Sequence, residues 1–187
     1  MTHGVLRQNG TVNNRKRSVR VPFQNRSRMV GAMTDLTIRT AEPSEAPAIL
    51  ALLREFADYE KVPEFSLNEE VVLRDMFGAA CHCELAFRGA DCVGIAAWFW
   101  TYKTFRGRRG LYVEDLYVRP PHRGRGAGKA LLAHLAGKAR EVNGFLEWQV
   151  LDWNAQAIRF YESLGAKPLG QWLNYRLEGD ALAKLAS

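Results

Sequence analysis

A chain of 187 residues, 47% hydrophobic and 25% charged, has the composition of one globular domain and is short for two. It contains no run of about 18 uncharged apolar residues, which excludes a helical membrane span. The net charge of +6 sits at one end: residues 1–32 hold Arg7, Arg15, Lys16, Arg17, Arg20, Arg26 and Arg28 and no acid, leaving −1 for residues 33–187.

Residues 1–32 show no hydrophobic periodicity and read as a basic, disordered extension. Three accounts stay open for it: a nucleic-acid arm, an Arg-rich transit peptide, or an extension upstream of a start at Met33. The last is favoured, because Phe23 is the only aromatic residue an arm could stack on a base. The domain proper is read as residues 33–187.

Leu36–Thr40 alternates and predicts a first strand. Pro43-Ser44 opens a helix running to about Lys61, with Ile49, Leu52, Leu53 and Phe56 at helical spacing. Ser66-Leu67-Asn68-Glu69 has the form of a capping box for a second helix ending near Gly78. Strands follow at 82–88 and 92–102, joined by a Gly89-Ala90-Asp91 turn, and then a basic loop from Lys103 to Gly110. The three cysteines, Cys81, Cys83 and Cys92, are an odd number, which fits a reducing cytosol. Cys81-His82-Cys83 lacks a second Cys/His pair to complete a zinc site and has the period of a strand, so no metal is expected.

Leu111–Val118 predicts another strand, stopped by Pro120-Pro121. Arg123-Gly124-Arg125-Gly126-Ala127-Gly128 then leads into an Ala/Leu-rich helix ending at about Val142. Strand, glycine loop and helix N-terminus together make an anion site out of backbone, because first-turn amides have no intrahelical partner and that end of the dipole is positive. The spacing is not a P-loop, since Arg123 stands where its first glycine belongs and Ala130 where Ser or Thr belongs. Nor is it a dinucleotide fingerprint, since Lys129 replaces the third glycine. What remains is Arg-x-x-Gly-x-Gly. Phe145–Leu151 predicts a strand, Asn154 an N-cap for a helix ending at Gly165, Leu173–Leu177 a last strand, and Asp180–Ala186 a final helical turn or two.

The Arg-x-x-Gly-x-Gly loop in this order of elements resembles the GCN5-related N-acetyltransferases from about Leu36 to Leu182. Ala57-Asp58-Tyr59-Glu60, Phe99-Trp100-Thr101-Tyr102, Leu111-Tyr112-Val113-Glu114-Asp115 and Asp152-Trp153-Asn154, with Phe160-Tyr161 before Leu164-Gly165, resemble the diamine and thialysine N-acetyltransferase branch. The resemblance implies an α/β fold with a central mixed, twisted sheet of six to seven strands flanked by helices. It further implies acetyl-CoA as cosubstrate, a small primary amine as acceptor, and a homodimer sharing the acceptor site. A protein or peptide amine is the alternative acceptor, and a non-enzymatic binding module the more distant one.

Transfer requires a neutral amine, although a free alkylamine has a pKa of about 10, and a proton donor for the leaving thiolate. The resemblance implies Tyr161 as that donor. Ala157, Phe160, Tyr161 and Leu164 also follow helical spacing, so a core aromatic is the competing reading. Glu114 matches the substrate-side acid; in an apolar strand it needs either that role or a salt bridge. Asp115 has the opposite parity and is expected on the other face as a structural acceptor. The backbone of Leu116, Tyr117 and Val118 is implied to meet the acetyl group and pantetheine arm, and Gly124, Arg125, Gly126, Ala127, Gly128 and Lys129 to hold the pyrophosphate. Arg123 adds charge or is a solvated loop residue. Asn154 contacts cofactor or simply caps its helix. Tyr59 and Glu60 match acceptor-site positions, or are a frayed helix end. One departure from the polyamine pattern is that the stretch Lys167–Gln171 before Trp172 carries no acid, which favours a smaller amine such as a diamine or a lysine-like amino acid.

Overall fold

The computed structural model describes residues 35–170 and 173–187. The basic extension, Met33, Gln171 and Trp172 lie outside them. Strand β1 (Leu36–Thr40) passes through a 3-10 turn at Pro43–Glu45 into α1 (Ala46–Glu60). The helix buries Ile49, Leu52 and Leu53 and stops where Lys61 turns left-handed at φ 58. The second helix begins later than Ser66. Asn68 is its cap, accepting from the Val71 amide at 3.0 Å, and α2 (Glu69–Val71) widens into a π-helical Val72–Met76 that turns Val72 and Met76 inward.

Strands β2 (His82–Arg88) and β3 (Asp91–Lys103) form the expected hairpin. The basic loop is shorter than expected, because β4 (Arg108–Val118) starts just past a 3-10 turn at Thr104–Arg106. Three of its cations have partners. Lys103 pairs with Glu147 at 2.8 Å, Arg108 donates to the Asn143 carbonyl at 2.6 Å, and the Arg109 guanidinium lies 4.5 Å from the Trp100 ring. Helix α3 (Ala127–Glu141), strand β5 (Leu146–Trp148), helix α4 (Ala155–Ser163) and helix α5 (Gly179–Ala186) complete the chain.

The sheet has the order β1-β2-β3-β4-β5, antiparallel except for the parallel β4–β5 pair. Five strands among the described residues correct the expectation of six to seven. Leu173–Leu177 is no strand: Leu173 is 80% and Tyr175 90% exposed, and a strand needs a neighbouring edge to close its hydrogen bonds. The Phe145–Leu151 strand shrinks to three residues because β5 meets β4 only across Leu111–Val113. One face of the sheet packs Leu85, Ile95 and Tyr117 against Ile49 and Leu52 of α1. The other packs Val93, Leu111 and Val113 against Leu131 and Leu135 of α3.

On the α3 face lies a buried carboxylate, Glu84, which is fully enclosed. It accepts from Thr40 Oγ1 at 3.0 Å and Trp98 Nε1 at 3.2 Å, and pairs with Lys138 at 3.3 Å. The His134 ring sits 3.1 Å away without the alignment of a hydrogen bond. Three partners offset the desolvation of a charge that alone would be very costly there.

Candidate active site

The site is built where the β3–β4 register breaks. Trp98 pairs with Val113 and Ala97 with Asp115, so Glu114 is the extra residue of a β-bulge. The bulge resets the alternation. Leu111 and Val113 face α3, and so do Leu116 and Val118, whereas Asp115 and Tyr117 turn to the α1 face. Simple parity from Val113 would have put Asp115 against α3. The Asp115 carboxyl lines a cavity of about 170 Å³ with Leu53, Phe56, Ala57, Glu60, Val62, Phe65 and Leu67. Glu114 is exposed, so it needs neither a salt bridge nor a catalytic role to be tolerated.

The electrostatics follow from crowding acids into this partly apolar space. Burial, with the charges of Glu114 and Glu60 beside it, pushes the Asp115 carboxyl up to about 6. Burial also raises Glu60. Cys81, at the start of β2, has a thiol raised by burial and by the nearby Asp115 and Glu114 charges, so it stays unreactive at neutral pH. From the opposite side α4 brings Tyr161, half-buried against Trp148 at 4.9 Å and Phe160 at 5.3 Å. Burial, helped by the charge of Glu60, raises its phenol to about 12. A phenol held that high is a protonated donor throughout physiological pH. The Glu60 charge at the end of α1 contributes to raising both Asp115 and Tyr161, after burial.

Past Val113, β4 has no strand partner on its β5 side among the described residues, so the backbone of Leu116–Val118 pairs in the sheet only with β3. Their side chains are committed to the core: Tyr117 is buried, with its ring 5.4 Å from Phe56, and Leu116 and Val118 pack against the α3 cluster. Only main chain is left for a ligand along this edge. At its end Arg119 holds β4 to α1 through Glu55 at 2.7 Å.

The glycine loop follows. Gly124 (φ 70) and Gly126 (φ 88) are both left-handed, and a Cβ on either would meet nothing within 4 Å. Backbone conformation, not lack of room, therefore requires glycine at both. The space before α3 is open, with the first-turn amides uncapped by any side chain, which fits a diphosphate held by backbone. Ala127 is buried and offers only its backbone, while Arg125 and Lys129 are exposed. Arg123 is not a solvated loop residue. Its Nε donates to the Val118 carbonyl at 2.8 Å and its guanidinium stacks 4.6 Å from Tyr59 and 5.5 Å from Tyr117. Tyr59 is accordingly a packed platform rather than a frayed end. Asn154 caps α4, its Oδ1 accepting from the Ala157 amide at 3.1 Å.

Sequence reasoning missed Asp115 and the apolar wall from Val62 to Leu67. The one available signal was the Glu114-Asp115 pair, since two adjacent acids in an apolar strand interrupt the alternation that otherwise assigns faces. No helix among the described residues is long and apolar enough to cross a membrane, and no group of three or more potential ligands among them is placed to hold a metal.

Comparison with known proteins agrees with this geometry. The acetyltransferase (GNAT) family profile matches residues 48–166. A thialysine N-epsilon-acetyltransferase of Bos taurus is 35% identical, covering 82% of this chain and 99% of that protein. An L-ornithine N5-acetyltransferase of Arabidopsis thaliana is 43% identical across 48% of this chain and 40% of that one. The solved structure of a V. cholerae integron cassette protein, 24% identical, superimposes with a TM-score of 0.71 over 81% of this chain and 98% of that one, a likeness of fold. With the Arg-x-x-Gly-x-Gly loop in place between β4 and α3, the chain belongs to the acetyltransferase (GNAT) family and is an acetyl-CoA-dependent N-acetyltransferase.

Proposed function

We propose that this enzyme moves the acetyl group of acetyl-CoA directly to the primary amine of a small cationic substrate, a diamine, polyamine or lysine-like amino acid. The observation that carries the reading is the gathering of Glu60 and Asp115 at one cavity, with Glu114 beside them and the Tyr161 phenol responding to the same Glu60 charge. Acids around a small cavity attract an ammonium group and hold it. The departure from the polyamine pattern in the sequence Lys167–Gln171 and the names of the thialysine and ornithine relatives favour a lysine-like amino acid.

The bound thioester supplies the electrophilic carbonyl. Asp115, ionised above about pH 6, accepts the proton of the incoming ammonium, directly or through water, with Glu114 and Glu60 orienting the cation. The amine nitrogen bonds to the carbonyl carbon, the carbon–sulfur bond breaks, the leaving sulfur takes the Tyr161 proton, and the second proton shed by the nitrogen returns through water to restore the phenol. The main chain of Leu116–Val118 aligns the thioester arm, while Gly124 to Lys129, together with Asn154, hold the nucleotide end. The protein's contribution is mainly alignment of two reactants.

Two further readings belong to the proposal. A homodimer is supported by the exposed Leu173, Tyr175, Leu182 and Leu185 of the C-terminal stretch, which have no cover within the described chain. A cytoplasmic setting is supported by three free cysteines, Cys81, Cys83 and Cys92. The test is thiol release from acetyl-CoA with putrescine, spermidine, spermine, lysine, ornithine, thialysine and a lysine peptide. Saturable turnover of one free amine is expected; turnover of the peptide alone would replace this reading with a protein acetyltransferase.

A further inference from the structure

We propose that Arg88 is a positioning residue for the glycine loop, setting the direction of the Gly126 amide. Arg88 is the last residue of β2, outside every motif of the loop. Its Nη2 donates to the Arg125 carbonyl at 2.6 Å, across 37 residues of sequence. Its Nε is buried without a partner, a cost that a freely solvated arginine would avoid by turning outward.

The consequence comes from peptide geometry. The unit joining Arg125 to Gly126 is planar and trans, so its carbonyl and its N–H point in opposite directions. Fixing the carbonyl toward β2 aims the Gly126 N–H away from β2. This is the amide immediately before the uncapped first turn of α3, where Gly126 is the N-cap. Flipping the unit requires rotation about ψ of Arg125 and φ of Gly126. Gly126 already sits at φ 88 and, as a glycine, resists such rotation little. Intrinsic stiffness therefore does not hold this amide, and no other side-chain bond among the described residues reaches the Arg125 carbonyl. Arg123 secures the loop's other end through the Val118 carbonyl. The loop is thus tied at both ends by arginines that bind carbonyl oxygens, which leaves its N–H groups available to an anion.

The inference rests on the proposed diphosphate binding by residues 124–129, and its test separates the two. Dissociation constants for CoA and for pantetheine, which lacks the diphosphate, are measured by calorimetry on wild type, Arg88→Ala and Arg88→Gln, with kcat and the melting temperature alongside. Arg88→Ala is expected to weaken CoA about tenfold, the size of one lost charge-assisted hydrogen bond near a surface. Pantetheine affinity, kcat and melting temperature are expected to stay at wild-type values. Arg88→Gln keeps a donor for the carbonyl and removes the charge, so it is expected to retain most of the affinity. If Arg88→Gln falls as far as Arg88→Ala, the side chain acts by charge and the positioning role is overturned. If wild type prefers CoA over pantetheine but Arg88→Ala binds CoA normally, the clamp is overturned and the diphosphate reading stands. If wild type binds CoA and pantetheine alike, the diphosphate reading fails and the inference with it.

Discussion

Asp115→Asn is expected to stabilise the protein at pH 8 while crippling it. The folded carboxyl titrates at about 6 against an ordinary 3.8, because it is buried and faces Glu114 and Glu60. A raised carboxyl pKa means that the charged form is penalised in the fold. The stability available with the proton on is complete below pH 3.8 and is lost as pH rises through about 6. The shift of roughly two units corresponds to about 3 kcal/mol at pH 8, at about 1.4 kcal/mol per unit. Asparagine is nearly isosteric and cannot ionise, so it recovers most of this. For a domain of this size the gain amounts to a rise of roughly 5–10 °C in melting temperature at pH 8, shrinking toward zero at pH 4. Thermal melts of both proteins at pH 4, 6 and 8, beside turnover with the best amine of the panel, read it directly. A melting difference that is the same at all three pH values would refute the argument, as would a mutant less stable at pH 8 than wild type. A mutant that is more stable and still fully active would leave the electrostatics intact and remove Asp115 from catalysis.

Tyr161→Phe is expected to lower kcat by a factor of 10² or more, in the range of a lost general acid. Because the phenol stays protonated up to about pH 12, wild-type kcat is expected to show no alkaline fall from this group between pH 8 and 10; unchanged kcat in the mutant would exclude the role. Gly126→Ala places a Cβ at φ 88, where roughly 1–2 kcal/mol of backbone strain is expected, and should raise the KM for acetyl-CoA with a smaller effect on the amine KM. Glu84→Ala strips the partner from Trp98 Nε1 and Lys138, and chemical denaturation should show a loss of roughly 3–5 kcal/mol, the scale of a broken buried pair.

Much of this protein was legible from local chemistry. The Pro-Pro stop, the two left-handed glycines of the loop and the Asn154 cap act within a few residues, so their sequence neighbourhood states their structure. The same holds for the periodicity that buries Ile49, Leu52 and Leu53, and for the motif that names the family. What escaped depends on pairing between distant segments. The bulge at Glu114 exists only because β3 and β4 lose register between Ala97 and Trp98, and it alone carries Asp115 from the α3 face to the cavity. Strand boundaries escaped for a related reason: a basic stretch became strand where Glu147 and the Asn143 carbonyl met its cations, and Leu173–Leu177 pairs with no strand among the described residues. The roles of Arg123 and Tyr59 changed when each proved to be the other's packing surface. Sequence by itself determined most of the elements and the left-handed glycine loop, because φ preferences, caps and hydrophobic period are local properties. Only the tertiary structure decided which acid enters the cavity and how strongly it is perturbed, because register and desolvation are properties of neighbours brought together by folding.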